Sequence, residues 1–522
     1  MQDTFDNRPN RQQRLLRPSV IAAALATLFA PAAWADNSVD LGNDTTFSYT
    51  FTANYGVAMR TGKQSETLLS PQNINGDDGD RNFHRGSLIT NRASLLGEGN
   101  LQHGDFGLFV RGSAFYDTAY QGTNANNAPG TVNHSGAFNE FTSYARDFQG
   151  QRAQLLDAYA YGAVGIGETR LSGKIGNQVV AWGESLFFPN IAGAQGPVDA
   201  TKSFVPGAEV KDILLPVPQA SLQWQINPSF SLMGYYQFVY KENQLFPPGS
   251  FFSTSDIVGP GSQYLIAGPG FNIPRGPDIK PTNDGQWGIG TRFRVAEDTE
   301  IGLYQLRYSD KNPSVVISMF PTMQYQQKYF GGINLTGASF STQMFGANVA
   351  GEVSYKDGQP MLVNVQGSPT ATRGKVVQGQ LSAIYSIGPN KLANSQSLVA
   401  EVGYIHVLSV DPVYGQTVLT NSRDAFAAQI GWSLTYNNVL DGWDMTIPLT
   451  YAQAISGHTS VPGAFGSLYG AGDRRASIGV TMKYLNNLEL NLTYAKFMGG
   501  ADLNDRPLAD RSYVAFNAKY SF

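Results

Sequence analysis

The 522-residue sequence has no cysteine, only five histidines and few charges, Asp, Glu, Lys and Arg together making up 15%. Without cysteine there is no disulfide framework, no thiolate metal site and no thiol nucleophile. The histidines (His84, His103, His134, His406 and His458) show no HxxxH or HxH spacing, so no metal site and no cofactor is expected. Long apolar runs are missing as well. Mean hydropathy is −0.22, and beyond the N-terminal segment nothing reaches the roughly 18 consecutive apolar residues of a spanning helix. That excludes a helical membrane protein.

Motifs of soluble enzymes are equally scarce. Gly288-Ile289-Gly290 lies in a strand pattern with no helix after it, and Gly337-Ala338-Ser339-Phe340 is not a G-x-S-x-G nucleophile elbow. An esterase would have to pair Ser339 or Ser354 with His406, and His406 alternates with Tyr404 and Val402 as a strand residue does. No enzyme is expected. A net charge of −4 with no basic patch argues against nucleic acid. Asn75-Gly76-Asp77-Asp78-Gly79-Asp80 lacks the EF-hand frame and reads as a solvated acidic turn.

What the chain has in quantity is Gly (57), Phe (30) and Tyr (26). It opens with Arg8, Arg11, Arg14 and Arg17, an apolar run from Ser19 to Ala30, and Ala33-Trp34-Ala35. These are the n-region, h-region and cleavage site of a signal peptide. The domain reading is therefore a leader over 1–35 and one exported domain over 36–522, with no cysteine after the site for lipid attachment.

The exported part alternates. Phe47, Tyr49, Phe51, Ala53, Tyr55, Val57 and Met59 recur at period two between polar residues, which makes a strand with one apolar and one polar face. Phe230 to Tyr240, Ile478 to Tyr484 and Leu488 to Tyr494 repeat the pattern. About ten tilted residues cross a bilayer as a strand. Short connections fit at His103-Gly104-Asp105, Gly165-Ile166-Gly167, Asn227-Pro228-Ser229, Ala296-Glu297-Asp298 and Leu485-Asn486-Asn487, with longer ones at 388–395 and 437–442. Long Gly/Pro/Asn-rich segments fall near 61–86, 118–150, 183–208, 243–285, 310–327, 356–374, 408–422, 456–472 and 499–509. The expected fold is an all-β transmembrane antiparallel barrel of about 18 strands, 16 or 20 being the alternatives, with short periplasmic turns and long extracellular loops. Phe522, Tyr520 and Phe516 lie on one face of a closing strand that ends in Phe, similar to the signal read by the barrel-assembly machinery.

Charges inside strands should face the lumen, because a lone Arg or Lys facing lipid at mid-depth costs roughly 2–4 kcal/mol. Arg111, Arg292, Arg294, Lys483 and Lys519 are such positions, and Asp157, Glu352 and Glu401 supply the opposite sign. They form either an ion-paired wall or a selectivity track. Trp182 ends the stretch Arg170 to Ala181. It suits a membrane-interface girdle. Alternatively, Gly183 lets the following loop bend into the barrel, with Glu184 near the mouth and Glu209 and Lys211 returning along the next segment. The 243–285 loop carries Phe246, Phe251, Phe252, Tyr264 and Phe271, more apolar surface than a solvated loop should hold. It reads as a lid over the mouth, as an apolar vestibule, or as both.

Several stretches are similar to one known family. These are Arg85 to Arg92 (RGSLITNR), Gly176 to Ser185 (GNQVVAWGES), Pro206 to Lys211 (PGAEVK), Leu335 to Phe340 and Gly351 to Tyr355. They resemble an uncharacterised family of large proteobacterial outer-membrane barrel proteins, common in pseudomonads and catalogued as a domain of unknown function. The resemblance spans the exported chain, and Arg92 joins the lumen candidates through it. It implies a periplasmic carrier, an RND-type transporter and hydrophobic compounds as cargo. The expectation is an outer-membrane channel passing a small hydrophobic or amphipathic compound. A general or ion-selective porin is one alternative, and a membrane-anchored structural or esterase-type barrel is the other.

Overall fold

The computed structural model describes residues 37–522. The signal peptide read over 1–35 lies outside the described residues. Eighteen antiparallel strands close on themselves. They are β1 (Thr45–Arg60), β2 (Leu88–His103), β3 (Phe106–Asp117), β4 (Gln151–Ile166), β5 (Thr169–Gln178), β6 (Val217–Asn227), β7 (Phe230–Gln237), β8 (Gln286–Ala296) and β9 (Thr299–Tyr308). The second half comprises β10 (Ile333–Met344), β11 (Ala347–Val365), β12 (Ser368–Ile387), β13 (Ser395–Val410), β14 (Asp424–Leu440), β15 (Trp443–Ser456), β16 (Arg474–Tyr484), β17 (Leu488–Met498) and β18 (Tyr513–Ser521). Each strand pairs with its sequence neighbour, and β18 returns to β1 from Arg60↔Tyr513 to Thr52↔Ser521. Closure pairs every strand on both sides over most of its length, as a spanning sheet requires. Ser38–Gly42 adds a short strand on β1 alone.

The two faces of the wall are inverted relative to a soluble protein. Outward side chains such as Phe106, Leu108, Val110, Leu222, Ile289, Leu303, Val353, Leu381, Ile478 and Leu492 are exposed. Inward ones are polar and buried, among them Arg92, Arg111, Gln178, Gln219, Glu352, Gln378, Glu401 and Asn517. An apolar outside and a polar inside suit a barrel solvated by lipid. No helix among the described residues is long and apolar enough to cross a membrane.

Tight turns join the strands at the end where β1 begins and β18 stops, and the long segments gather at the other end. The expected loop over 356–374 is a correction. Lys356-Asp357-Gly358-Gln359-Pro360 has turn composition, yet Gly358 (φ 87°) forms a bulge between Asp357 and Gln359. β11 and β12 therefore run on to a two-residue turn at Gln366-Gly367, both at positive φ. Segments read as irregular hold two small hairpins, Tyr264–Gly268 with Phe271–Pro274 and Ser314–Ser318 with Gln324–Lys328.

Candidate functional site

The segment between β5 and β6 folds into the lumen. β5 ends at Gln178 instead of continuing to Ala181. Trp182 is buried against two inward rings, Tyr235 of β7 (centroids 5.0 Å apart) and Tyr304 of β9 (6.2 Å). The interface-girdle reading of Trp182 is thus corrected. The indole lies inside the barrel because the chain turns inward where polar wall residues offer its backbone partners.

Two carboxylates supply those partners. Glu352 of β11 accepts the backbone N–H of Glu184 (2.7 Å) and of Ile191 (3.1 Å). Glu401 of β13 accepts three in succession, from Leu186 (3.0 Å), Phe187 (2.6 Å) and Phe188 (2.8 Å). Gln378 donates to Pro189 O (3.0 Å), Gln380 donates to Phe188 O, and Ser354 Oγ donates to Asn190 Oδ1. A hydrogen bond to an ionised carboxylate contributes about 1.5–3 kcal/mol, so five of them anchor the loop firmly to this side of the wall. Gln195 then closes the bend, accepting from Trp182 N and donating to Trp182 O, both at 3.1 Å.

Beyond the short helix Ile191–Gln195 the loop crosses to the opposite side. Asp199 pairs with Arg152 of β4. Pro206 O accepts from Asn54 Nδ2 of β1 (3.2 Å). Gly207 (φ 78°) passes so near that a Cβ would stand 2.8 Å from Asn54 Oδ1 and Asn517 Nδ2. Glu209 pairs with Lys519 of β18 (2.7 Å), and Lys211 reaches Glu98 of β2 (3.7 Å) and Glu209 (3.5 Å). The loop is therefore held at β11 and β13 and again at β1, β2, β4 and β18, and it spans the lumen.

The other sequence-predicted charges take different places. Arg111 pairs with Asp157 (2.6 Å), and Arg92 pairs with Asp117 (3.1 Å) while donating to Gln149 O (3.0 Å); both pairs are buried in the wall beside the loop. Arg292 pairs with Glu300 (3.4 Å), and Arg294 is exposed near the short-turn end. Ser339 and Ser354 face inward, whereas His406 lies on the outer face with Asp424 (2.7 Å). No Ser–His pair forms from them. Phe516 faces outward, Tyr520 and Phe522 meet edge to face with centroids 4.8 Å apart, and Phe522 N donates to Phe51 O (2.8 Å).

Above the infolded loop the long segments form a cap. Phe251 and Phe252 are buried with Phe83, Tyr120, Phe141, Phe497 and Tyr513, and Phe246 packs against the same cluster. Phe204 of the infolded loop stacks on Phe252 at 4.1 Å, tying the two layers together. Tyr264 donates to His134 O (2.8 Å), while Phe271 is exposed. On the other side Phe188 packs edge-on to Phe465 (5.4 Å).

The acidic turn is a second correction, since Asp77, Asp78 and Asp80 are at most 1% exposed. Asp80 and Asp510 pair with Arg60 (2.6 and 2.9 Å) and with Arg511 (3.6 and 3.2 Å). Asp77 pairs with Arg81. Asp78 and Asp256 remain beside each other, and no cation pairs with either among the described residues; Asp78 N donates to Asp256 Oδ2 (3.2 Å). Burial, and then the Asp77 charge, pushes Asp78 up to about 7. Burial likewise drives Asp256 well above the carboxylate range, with Asp78 and Asp77 adding to it. Oxygens of Asp77, Asp78 and Asp256 lie within 4.8 Å of one another, the set that a cation would use if one bound here. Sequence reading missed this cluster because Asp256 and Asp510 are far away in the chain.

The family model described as "Protein of unknown function (DUF1302)" matches residues 16–522. No curated protein matches the sequence. Among solved structures, Acinetobacter baumannii OccAB3 is similar, with 11% identity over 91% of this chain and 99% of that one and a TM-score of 0.43. Acinetobacter baumannii OccAB1 gives 11% over 93% and 98%, with a TM-score of 0.44. Pseudomonas aeruginosa OccK2 (OpdF), solved in complex with glucuronate, gives 10% over 91% and 98%, with a TM-score of 0.42.

Proposed function

The chain belongs to this family of proteins of unknown function, and from that premise we propose that it is an outer-membrane channel admitting a small hydrophobic or amphipathic compound. The observation that carries this reading is the infolded loop. A general porin keeps a wide aqueous lumen, whereas here residues 179–216 are held to opposite sides of the wall through Glu352, Glu401, Asn54 and Lys519. A lumen crossed in this way selects its cargo.

Localisation in the outer membrane is supported by the closed barrel with its apolar outer face, and an amphipathic cargo by the apolar packing of the cap above the loop. A periplasmic carrier and an RND-type transporter, as the family resemblance implies, would collect or deliver the compound at the short-turn end. Uptake tests the reading. Proteoliposomes bearing the full chain should accumulate dodecanesulfonate, whose fixed charge keeps it from crossing protein-free liposomes, and exclude sucrose. Equal passage of both would make the protein a general porin.

A further inference from the structure

The barrel wall has a step in it. β4 pairs with β3 from Phe106↔Gly162 to Tyr116↔Gln151. On its other side it pairs with β5 only from Ile166↔Thr169 to Ala158↔Asn177. Residues 151–157 of β4 therefore have no strand beside them on that edge. β5 stops at Gln178, opposite Val217 at the start of β6, and β7 stops at Gln237, opposite Gln219. Seven residues of strand rise about 20 Å, so a window of that height along β4 stands where three strands end early.

A cavity of about 350 Å³ occupies the window. It is lined by Gln154, whose side chain is on the lumen face with Ser113, and by Leu155, which shares the outer face with Gly112 and Val110. The cavity therefore lies against the unpaired edge of β4, touching a residue of each face of the wall. Leu155 is 63% exposed on the outside. Tyr116 lies four residues beyond Gly112, the partner of Leu155, on the same outer face. Interfacial aromatics flank the apolar band, and Tyr116 pairs with Gln151, the upper end of the window.

The cavity has an apolar side and a polar side, and its charges other than Lys241 are already paired, Arg275 with Asp278 (2.7 Å) and Glu242 with Lys280 (2.6 Å). Leu156, Leu215 and Leu245 line it. Lys241 enters it with Nζ donating to Pro216 O (2.9 Å) and to Asn177 Oδ1 (3.2 Å). No carboxylate pairs with Lys241 among the described residues, and an ammonium has three hydrogens to donate, so one remains.

We propose that this window is a lateral portal through which an amphiphile with an anionic head group passes between the outer leaflet and the lumen, its head on Lys241 and its apolar body against Leu155, Leu156, Leu215 and Leu245. The site rests on the channel reading above and adds both the route and the head-group charge. Its volume is at the small end of the roughly 300–1,000 Å³ typical of ligand sites, which fits a single-chain compound. Two sources share this chemistry, a transported compound and an anionic membrane lipid.

Photoreactive dodecanoate and photoreactive dodecylamine, applied to the full refolded chain in a non-ionic detergent, test the proposal. Dodecanoate should label peptides containing Leu155 or Leu245. Lys241→Gln should cut that labelling about tenfold, the loss of one charge-assisted hydrogen bond, and Lys241→Arg should restore it. No labelling there, equal labelling by the amine, or an undiminished Lys241→Gln variant would overturn the assignment. Displacement by phosphatidylglycerol vesicles but not by phosphatidylcholine would make the occupant a resident lipid and overturn the portal role. Uptake separates this proposal from the channel reading. If Leu155→Trp liposomes still take up dodecanesulfonate as the wild type does, the portal fails and the channel stands. If wild-type liposomes take up none, the channel reading fails, and labelling alone decides the site.

Discussion

Gly183 and Glu352 approach so closely that a Cβ on the glycine would stand 2.5 Å from the carboxylate Oε2, and the glycine backbone has φ 107°. Any other residue at 183 meets both a clash and an unfavourable left-handed backbone. The contact lies where the infolded loop leaves the wall, and it makes the loop's anchorage testable one atom at a time.

Gly183→Ala should loosen the loop from β11 without unfolding the barrel, whose strand ladders do not involve it. Single-channel recording should then show longer or larger openings than wild type. Unchanged closed-state current would mean that the loop tolerates the methyl group and that its seat is not tight.

Glu401→Gln should weaken three backbone contacts at once, because a neutral amide oxygen accepts less strongly than a carboxylate and its NH2 group repels a backbone donor. A loss of about 2–4 kcal/mol of loop anchorage is expected, read as faster protease cleavage within 183–191. Glu401→Ala and Glu352→Gln should act in the same direction.

Much of this architecture was legible in the sequence. Period-two alternation located the barrel strands because lipid outside and polar groups inside impose opposite demands on adjacent residues, as at Val110, Arg111 and Gly112. The inward destination of Trp182 was not legible. An aromatic at a strand end satisfies a membrane interface or a lumen equally well, and only Tyr235 and Tyr304, distant in sequence, distinguish them. Burial of Asp78 was hidden for a like reason, since its cover comes from Asn126, Asn133 and Asp256 on other loops. The window beside β4 shows only as unequal strand lengths, which alternation near Gln178 does not resolve.

The cap should loosen as pH rises. Asp78 titrates at about 7 in place instead of at the ordinary 3.8, held up by burial and by Asp77; Asp256, Asp77 and Asp510 shift in the same direction. A folded state that keeps protons longer than the unfolded one is most stable below the ordinary carboxylate pKa and loses that stability as pH climbs towards about 7. In this cysteine-free chain a nitroxide on Asn127→Cys should become more mobile between about pH 5 and pH 8, and Asp78→Asn should flatten the response. A nitroxide equally mobile at both pH values in the parent would count against the buried acid pair.

Phe252→Ala should uncouple cap from loop. Removing a buried Phe costs about 3–5 kcal/mol, and here it also removes the stack on Phe204. Protease should cut the 243–285 segment sooner while the barrel keeps its heat-modifiable mobility on gels. Loss of the folded band would show that the cap is needed for the barrel itself.

Phe522 carries a separate expectation. Its N–H closes the last rung against Phe51, and the expectation that the assembly machinery reads this residue is separable from that packing. Phe522→Ala should lower the amount of folded protein in membranes while refolding normally in detergent. Normal membrane levels would leave the residue with only its packing role.

The infolded loop is tested most directly by its removal. Gln178 and Val217 are partners in register, so a short Gly/Ser linker can join β5 to β6 in place of residues 179–216. In planar bilayers the parent should conduct little, and the excised barrel should open a steady channel on the order of a nanosiemens, as an 18-stranded wall with a clear lumen would. A parent already as conductive as the excised variant would contradict a lumen closed by this loop.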